Sequence, residues 1–356
     1  MSQPMSAQDT SSAPPPADTE HNGNRPWYRR FVPGELGVVL VLVVLVAIVG
    51  IGHPDFLRTS NLLSVAQNSA YVGLMACGMV FPLAMREVDL SVGGTYALGV
   101  VVGAVAIRDG LNPWLAVPVV LALGLVLGAI NGAITTYLKL PSFIVTLASA
   151  MLYRGVALAL ANGKQITGLP QDNSFFNIVG ANLGGVPTSV WVLLLATIVL
   201  AIVFTRSRFG ARVRAIGSNP DAAEFSGLPI ARTRILALGL SGFMAGAAAV
   251  LSLAFYIAGD PTIGNGYELT AIASAIIGGT PLAGGRGSVP GAMIGNLILT
   301  TVAASLVFFA VPINWTTFAT GAVILVAVAF DSVLRRTRGH GLLPRRVVRL
   351  FRREEQ

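Results

Sequence analysis

The run of glycines at 278–287 is the stretch of the sequence that comes closest to a binding site for phosphate. Closely spaced glycines can present backbone N–H groups to a phosphate, as the P-loop of nucleotide-hydrolysing proteins does. A P-loop continues with Gly-Lys-Ser or Gly-Lys-Thr, whereas this run ends in Gly285-Arg286-Gly287. Since the sequence contains no second candidate, we expect that the chain is not an enzyme and does not hydrolyse ATP. We interpret the run as a broken helix whose freed backbone groups line a cavity or pack against protein.

Other side chains that could do chemistry are scarce. The three histidines (His21, His53 and His340) lie outside the apolar segments, and the single cysteine, Cys77, lies inside one. This arrangement provides neither a metal site built from His and Cys nor an internal disulfide. A membrane enzyme would need His, Asp or Ser clustered near one interface, and the sequence shows no such cluster.

Charges next to apolar segments are the remaining candidates. Glu87 and Asp89 follow an apolar run beside Arg86, which fits a salt-bridged turn at the membrane interface, and Asp89 is also suited to cap the next helix. Arg154 lies within an apolar run and should face protein or water, because a charge is costly in lipid; snorkelling to the outer surface is the alternative. We find no carboxylate at a mid-membrane position, which disfavours a transporter that works alone by proton coupling.

A basic, polar segment at 205–234 stands between two long apolar runs, and the rest of the chain is arranged around it. It contains six arginines, which are Arg206, Arg208, Arg212, Arg214, Arg232 and Arg234.

A short helix is predicted inside this segment. Asn219 suits the N-cap position, and Pro220 suits the first helical position, where no N–H is needed. Asp221 and Glu224 fall in the first turn, where the helix dipole favours anions. Gly227 suits the residue that stops the helix. The pattern therefore predicts a helix of about two turns in a loop between membrane spans.

A helix this short is not stable alone in water, so it must rest on something. One interpretation is a surface helix that leans on its own membrane domain. The other is a helix that docks a cytosolic partner, and the small side chains of Ala222 and Ala223 suit a face that sits in a groove.

The composition indicates an all-α polytopic membrane protein. The chain has 356 residues, of which 54% are hydrophobic and 11% charged, whereas soluble domains carry about 25% charged residues. The net charge of +8 comes from short loops and tails, as the positive-inside rule explains. It therefore gives no reason to expect nucleic acid as a partner, and membrane lipid surrounds the chain instead.

About ten spans are predicted, with both termini in the cytoplasm, and this arrangement puts most of the 24 Lys and Arg residues on the cytoplasmic side. The second and eighth spans are candidates for broken or re-entrant helices. We expect residues 1–33 to be a disordered tail, residues 34–334 the membrane domain and residues 335–356 a basic tail. The spans are 35–52, 62–84, 91–107, 114–137, 142–160, 188–205, 235–258, 268–282, 289–310 and 314–331.

Glycine spacing and a short repeat add detail. Glycines recur every fourth residue, at Gly124, Gly128 and Gly132, at Gly242 and Gly246, and at Gly287, Gly291 and Gly295, which predicts close helix packing in lipid. The runs 91–94 and 288–291 match weakly, and each opens an apolar span after a polar break. Duplicated halves are common in transporters, so a two-fold internal repeat is one hypothesis and chance is the other.

Four motifs in a common order resemble the permease subunits of bacterial ABC sugar importers, with the ribose, xylose, arabinose and galactose permeases as the nearest group. The resemblance covers roughly residues 35–335, and both tails lie outside it. The motifs are the runs 87–94, 140–148 with Arg154-Gly155, 208–227 and 277–288. Motif positions with an expected structural role are Asp89, Ser91, Gly93, Gly278, Gly279, Gly284, Gly285 and Gly287.

The resemblance implies a division of labour in the bacterial inner membrane. Two permease chains, identical or merely similar, form the pore, two ATPase chains bind below, and a periplasmic or extracellular binding protein delivers a pentose or hexose. Residues 219–227 would be the coupling helix that sits in a groove of the ATPase. ATP and Mg²⁺ would be bound by that partner, and this chain would bind no cofactor.

The fifth span contains the candidate residues for contact with the transported solute. Phe143, Thr146, Tyr153 and Arg154 in the fifth span are candidates for the translocation path, and core packing is the alternative for each. A permease of the same architecture for another solute, such as a branched-chain amino acid, inositol or a sugar-like signal, also fits the motifs. A secondary transporter that acts alone fits them less well.

Overall fold

The computed structural model of the chain describes residues 33–312 and, beyond them, residues 315, 318, 319, 321, 322 and 325. Between residues 33 and 312 its architecture is helical, with a two-stranded hairpin, β1 (Asn182–Leu183) and β2 (Val186–Pro187), and a 3₁₀ turn at Pro54–Leu57. The α-helices are α1 (Pro33–Gly52), α2 (Thr59–Ala84), α3 (Val92–Arg108), α4 (Pro113–Tyr137), α5 (Ser142–Leu160), α6 (Ser174–Val179), α7 (Thr188–Arg206), α8 (Arg208–Ser218), α9 (Pro220–Phe225), α10 (Ile230–Tyr256), α11 (Tyr267–Ile277) and α12 (Val289–Phe308).

Every predicted span up to residue 310 overlaps one of these helices, and the chain is a polytopic helical membrane protein. Five of the helices, α4, α5, α7, α10 and α12, are long and apolar enough to cross a membrane on their own. The tenth predicted span, 314–331, lies largely outside the described residues, as do both tails.

Helix α2 forms the centre of the molecule. It is buried continuously from Ser69 to Ala84 and packs against α7, α10, α11 and α12. A membrane helix that is surrounded by protein does not need a lipid-facing stripe, which explains why its sequence is less apolar than that of the outer helices. The break that we predicted in this span is absent, since α2 is one continuous helix with Pro82 in its last turn.

Helix α11, by contrast, is too short to span a membrane. Its 11 residues extend about 16 Å at 1.5 Å per residue, which is roughly half of a hydrocarbon core of about 30 Å. The extended loop 278–288 follows it and returns the chain to α12. The predicted break in the eighth span is therefore present.

The helix ends form two faces. One face carries α8 and α9 together with the ends of α2, α4 and α7 and the start of α5; we call it the α9 side. The opposite face, the far side, carries α6 and the β1–β2 hairpin. The sequence had indicated neither α6, the hairpin nor α8, because short elements in polar loops carry little hydrophobic periodicity.

Two glycine seams confirm the predicted close packing. Between α4 and α10, a Cβ on Gly124 would lie 2.3 Å from the Gly242 carbonyl oxygen, and one on Gly128 would lie 2.2 Å from the Leu238 carbonyl oxygen. Between α11 and α12, a Cβ on Gly295 would lie 2.3 Å from the Ser274 carbonyl oxygen. The helix backbones touch along these seams, so no side chain fits between them.

We expect Gly124→Ala to lower the free energy of unfolding by roughly 1–3 kcal/mol, the usual cost of overpacking, because its methyl group would push α4 away from α10. The matched control is Gly155→Ala on α5, where nothing lies within 4 Å of the added Cβ. Thermal unfolding of the purified chain in detergent checks both variants. Equal melting temperatures for the two would contradict the seam.

Candidate functional site

Helix α9 has the local structure that its sequence predicts. Asn219 Oδ1 accepts a hydrogen bond from the Ala222 N–H at 3.1 Å, and Pro220 opens the helix. At the other end Gly227 adopts a φ of +69°. The Leu228 N–H then reaches back to the Ala223 carbonyl at 3.0 Å, which is the bond that closes a Schellman motif. Both ends of the helix are thus capped within the chain.

Helix α8 holds α9 in place from the preceding side. Ser207 caps it by accepting a hydrogen bond from the Gly210 N–H at 3.0 Å. Val213 and Ile216 are buried, whereas Arg208 and Arg212 point outward. The arginines therefore form the exposed face of an amphipathic helix that lies on the membrane domain.

The two sides of α9 differ sharply. Ala223 is only 4% exposed and packs into the core of this chain, whereas Phe225 is 93% exposed. Asp221 and Ala222 are exposed as well. The face that α9 offers to another protein is therefore formed by Asp221, Ala222 and Phe225, and Ala223 does not belong to it, because that side chain holds α9 to its own domain. Phe225 was not among the predicted docking residues, although a large apolar residue within an otherwise polar loop can indicate a contact surface.

Arg86 ties the end of α8 to the end of α2. Its backbone adopts a left-handed conformation with a φ of +66°. From there its Nε donates to the Gly217 carbonyl at 2.7 Å, and its Nη2 donates to the Ser218 carbonyl at 2.9 Å. A cation that satisfies the last carbonyls of a helix is favoured by the helix dipole. This guanidinium therefore fixes α8 at the point where α9 begins.

Two further contacts complete the junction. Glu87 Oε1 accepts from Arg234 Nε at 2.6 Å, and the two side chains are only 13% and 26% exposed. The Gly285 N–H donates to the Ala84 carbonyl at 2.8 Å, which places the glycine-rich loop 278–288 against the same end of α2. The junction thus joins α2, α8, α10 and that loop.

The glycines of loop 278–288 serve this packing. Gly284 and Gly285 adopt φ values of +73° and +79°, and a Cβ on Gly285 would lie 2.6 Å from Ser218 Oγ. A Cβ on Gly278 would lie 2.4 Å from the Gly291 carbonyl oxygen. The run that resembles a phosphate cradle is thus occupied by close contacts within the chain.

From the junction, the loop 85–91 runs along α5 towards the centre of the molecule. The Val88 N–H donates to Ser142 Oγ at 3.0 Å, and the Leu90 N–H donates to Thr146 Oγ1 at 3.0 Å. Non-helical backbone at membrane depth must find such partners within the protein. Thr146, a candidate for the translocation path, is fully buried and holds this loop.

A buried polar network lies where the loop ends. Asp89 is fully buried, and its Oδ1 accepts from the Ser91 N–H at 2.9 Å and from Ser91 Oγ at 2.6 Å. Asn131 Nδ2 donates to Ser91 Oγ at 2.9 Å, while Asn131 Oδ1 accepts from Ser149 Oγ at 2.7 Å and from the Tyr153 hydroxyl at 3.1 Å. The network connects the start of α3 with α4 and α5.

An ion pair lies beyond this network, at the first turn of α11. Arg154 Nη2 lies 3.2 Å from Glu268 Oε2 and donates to the Gly264 carbonyl at 2.7 Å. Gly93 permits this approach, since a Cβ there would lie 2.8 Å from Arg154 Nη2. We expected no carboxylate at a mid-membrane position, and the structure shows that two carboxylates, Asp89 and Glu268, are at least partly buried among the helices. We had assigned Glu268 to the boundary between a polar loop and a span, whereas it is partly buried and neutralised by Arg154.

The four path candidates on α5 do not share one lumen. Phe143 is 52% exposed on the outer surface, Thr146 holds the loop 85–91, Tyr153 belongs to the polar network and Arg154 forms the ion pair. Phe143 and Arg154 are separated by about 16 Å along the helix axis. Their assignment to the path stays a prediction.

Comparison with protein families matches residues 61–328 to a family described as the permease component of branched-chain amino acid transport systems. The chain is 34% identical over 296 residues to the ribose import permease protein RbsC of Escherichia coli K12, an alignment that covers 83% of this chain and 92% of that protein. It is 37% identical over 297 residues to RbsC of Bacillus subtilis, with the same coverage. It is 34% identical over 302 residues to the D-allose transport system permease protein AlsC of E. coli K12, which covers 84% and 92%. No solved structure gives a significant match.

We expect Glu87→Gln to destabilise the chain by about 1–3 kcal/mol, because it leaves the mostly buried Arg234 without its countercharge. The double variant Glu87→Arg with Arg234→Glu should recover part of the loss. Asp55→Asn is the matched control, since its ion pair with Arg58 is 71% exposed on both sides and such pairs contribute little. Thermal unfolding in detergent measures all three. A loss of the same size for Asp55→Asn would contradict the role of the junction.

Proposed function

The chain belongs to the family of transport-system permease components, with ribose and D-allose permeases among its relatives, and from this premise we propose that it is the membrane permease of an ATP-driven importer for a monosaccharide. The observation that carries this proposal is identity of about one third to sugar permeases over more than four fifths of the chain. In the proposed system a separate ATPase chain binds and hydrolyses ATP with Mg²⁺, and a separate binding protein delivers the sugar. A second permease chain completes the pore.

Helix α9 is the proposed docking point for the ATPase. It is capped at both ends, fixed by Arg86 through α8 and anchored by Ala223, so its outward face is preorganised. Preorganised contacts bind more tightly because little conformational entropy is lost on docking. Phe225 is suited to insert into an apolar groove of the partner, as buried aromatic side chains commonly do in interfaces.

The distribution of charge supports an orientation with the α9 side in the cytoplasm of a bacterial inner membrane. On the far side the described basic residues are Arg58, Arg108 and Lys164. On the α9 side they are Arg86, Lys139, Arg206, Arg208, Arg212, Arg214, Arg232, Arg234 and Arg286. The orientation puts both chain termini in the cytoplasm if the tenth predicted span exists.

The positions of the two matching tetrapeptides support the proposed internal repeat. Ser91 precedes α3 and Ser288 precedes α12, so the runs 91–94 and 288–291 both open a helix. Each helix follows a non-helical segment, 85–91 or 278–288, and the Gly285 N–H of the second segment donates to the Ala84 carbonyl, where the first segment starts. Equivalent helix starts are expected of duplicated halves.

In the proposed system the junction connects the ATPase mechanically to the helices that move the solute. A displacement of α9 by the ATPase acts on α8, and Arg86 transmits it to the loop 85–91. That loop is bonded to α5 through Ser142 and Thr146, and its end, Asp89, belongs to the network that positions α3. Transport by alternating access would use this connection to move the helices around the solute without chemistry in the permease itself.

Transport of another solute is the second candidate. The description of the matching family names branched-chain amino acid transport, which favours this alternative over a transporter that works alone. Uptake assays with proteoliposomes that contain the permease, its ATPase and its binding protein distinguish the candidates. ATP-dependent uptake of ribose, xylose or allose is expected, and uptake of leucine alone would contradict the proposed substrate class.

We expect Phe225→Glu to abolish co-purification of the ATPase while the melting temperature of the permease stays unchanged, because this side chain makes little contact with its own chain. The control is Leu183→Glu in the β1–β2 hairpin, which is 63% exposed on the far side. Pull-down of the tagged permease in mild detergent, with quantification of the ATPase, checks both. Full recovery of the ATPase by Phe225→Glu would exclude α9 as the docking helix.

A further inference from the structure

The far-side half of α2 carries polar side chains on one face. Ser64, Gln67, Asn68 and Tyr71 are spaced at i, i+3, i+4 and i+7, which places them along a single side of the helix. Ser64 and Asn68 are exposed and Gln67 is half-buried, whereas the helix is buried continuously from Ser69 onward. The buried centre of α2 therefore opens to the outside along a polar stripe.

This stripe lies too deep for the membrane surface to solvate it. Asn68 is nine residues from Thr59, the first residue of α2, which is about 14 Å along the helix axis. Amide side chains at such depth are costly in hydrocarbon and face protein or a water-filled cavity instead. No described residue covers Asn68, and a water-filled cavity is the environment that we infer for it.

Tyrosines from three other helices surround the inner end of the stripe. The Tyr71 ring lies 6.3 Å from the ring of Tyr256, at the end of α10. Tyr267 lies at the start of α11, which packs against α2, and its ring lies 5.6 Å from that of Tyr96 of α3 at an angle of 37°. Tyr96 is fixed behind them by a hydrogen bond of 2.8 Å from its hydroxyl to Ser252 Oγ.

The cluster combines exposed amide and ring surface with a buried hydroxyl that lacks a hydrogen bond among the described residues. Tyr71 is 2% exposed, and its hydroxyl lies near the Gln67 amide but completes no hydrogen bond with any described residue. A buried hydroxyl without a partner carries a desolvation cost. Tyr256 leaves 49% of its surface exposed, so one ring face is open. The cluster thus combines open aromatic surface, two amides and an unsatisfied hydroxyl.

We propose that Gln67, Asn68, Tyr71, Tyr256 and Tyr267 line a water-filled vestibule on the far side and form a binding site for a neutral, polyhydroxylated ligand. Amides and phenols both donate and accept hydrogen bonds, as the hydroxyl groups of a sugar require. Aromatic rings offer an apolar face to the C–H groups of a sugar ring. The identification of the ligand as a monosaccharide rests on the proposed function, whereas the vestibule itself does not.

Cysteine labelling tests the vestibule without any assumption about transport. Cys77 is the single cysteine, so Cys77→Ser provides a background without thiols. In that background Asn68→Cys is compared with Ile198→Cys, which is 58% exposed at a similar depth on α7. A membrane-impermeant maleimide is applied to intact cells from outside. Because the thiolate is the reactive form and needs water, labelling of Asn68→Cys should be at least about tenfold faster.

If Asn68→Cys reacts as slowly as Ile198→Cys, the proposed vestibule is wrong. The polar stripe then faces lipid or a protein interface. Lipid and protein are then distinguished by repeating the labelling on the purified chain alone. None of these outcomes affects the proposed function, which depends on the ATPase and on uptake.

Uptake in proteoliposomes with the ATPase and binding protein tests the ligand. Tyr256→Leu and Gln67→Leu should each reduce uptake of ribose, xylose or allose by about two- to tenfold, the effect expected for one ring contact, with the ATPase still bound. Phe255→Leu, which changes the adjacent ring, and Gln171→Leu, which removes an exposed far-side amide, should keep normal uptake. Normal uptake by both Tyr256→Leu and Gln67→Leu would overturn the binding site. Uptake of none of these sugars by the unmodified complex would contradict the proposed substrate class and leave the labelling result valid.

Discussion

The rest of the structure depends on one constraint, which is that backbone leaving the helical conformation inside a hydrocarbon layer must find its hydrogen-bond partners within the protein. The loop 85–91 meets this constraint with side chains of α5 and with the network around Asp89. Its hydrogen-bond partners lie on α5, on α4 through Asn131 and on α8 through Arg86, so the loop cannot move independently of these helices. The segment that joins α2 to α3 thereby becomes a rigid connection between the α9 side and the centre.

The need to find a partner within the protein also explains the Arg154–Glu268 pair. Either charge alone would be expensive among the helices, and together they neutralise each other at the junction of α3, α5 and α11. The short helix α11 can start inside the molecule because the Gly264 carbonyl accepts from the Tyr267 N–H at 3.3 Å and because Arg154 neutralises Glu268 in its first turn. The end of loop 85–91 and the start of α11 therefore lie close together, with Gly93 beside Arg154, Gly264 and Glu268.

Much of the fold could be predicted from the sequence, because long apolar runs and capping residues are local signals. The helix bounds agree with the predicted spans to within a few residues, and Asn219 and Gly227 cap α9 as expected. Contacts between distant segments could not be predicted. The partners of Arg86 are the carbonyls of Gly217 and Ser218, far along the chain, and a carbonyl carries no sequence signal. The face of α9 was misjudged for the same reason, since small size at Ala223 fits a docking groove and the chain's own core equally well.

The pairing of Glu268 with Arg154 shows a related limit. Each charge is visible in the sequence, but only the folded chain brings α5 and α11 together. A side chain in a membrane protein can be buried by other helices or can face lipid. The hydropathy of its own segment does not distinguish these two environments. The continuous burial of α2, whose sequence is the least apolar of the long spans, illustrates the point.

The central claim is that Arg86 transmits motion from α9 to the transport path, and the sugar moved per ATP hydrolysed tests it most directly. This ratio is measured in proteoliposomes that contain the complete complex with Arg86→Ala, and with Arg212→Ala, an exposed arginine of α8, as the control. The account predicts that Arg86→Ala still binds the ATPase and hydrolyses ATP but moves less sugar per ATP than the unmodified permease or the control. An unchanged ratio for Arg86→Ala would contradict the account, because α9 would then act on the path through other contacts.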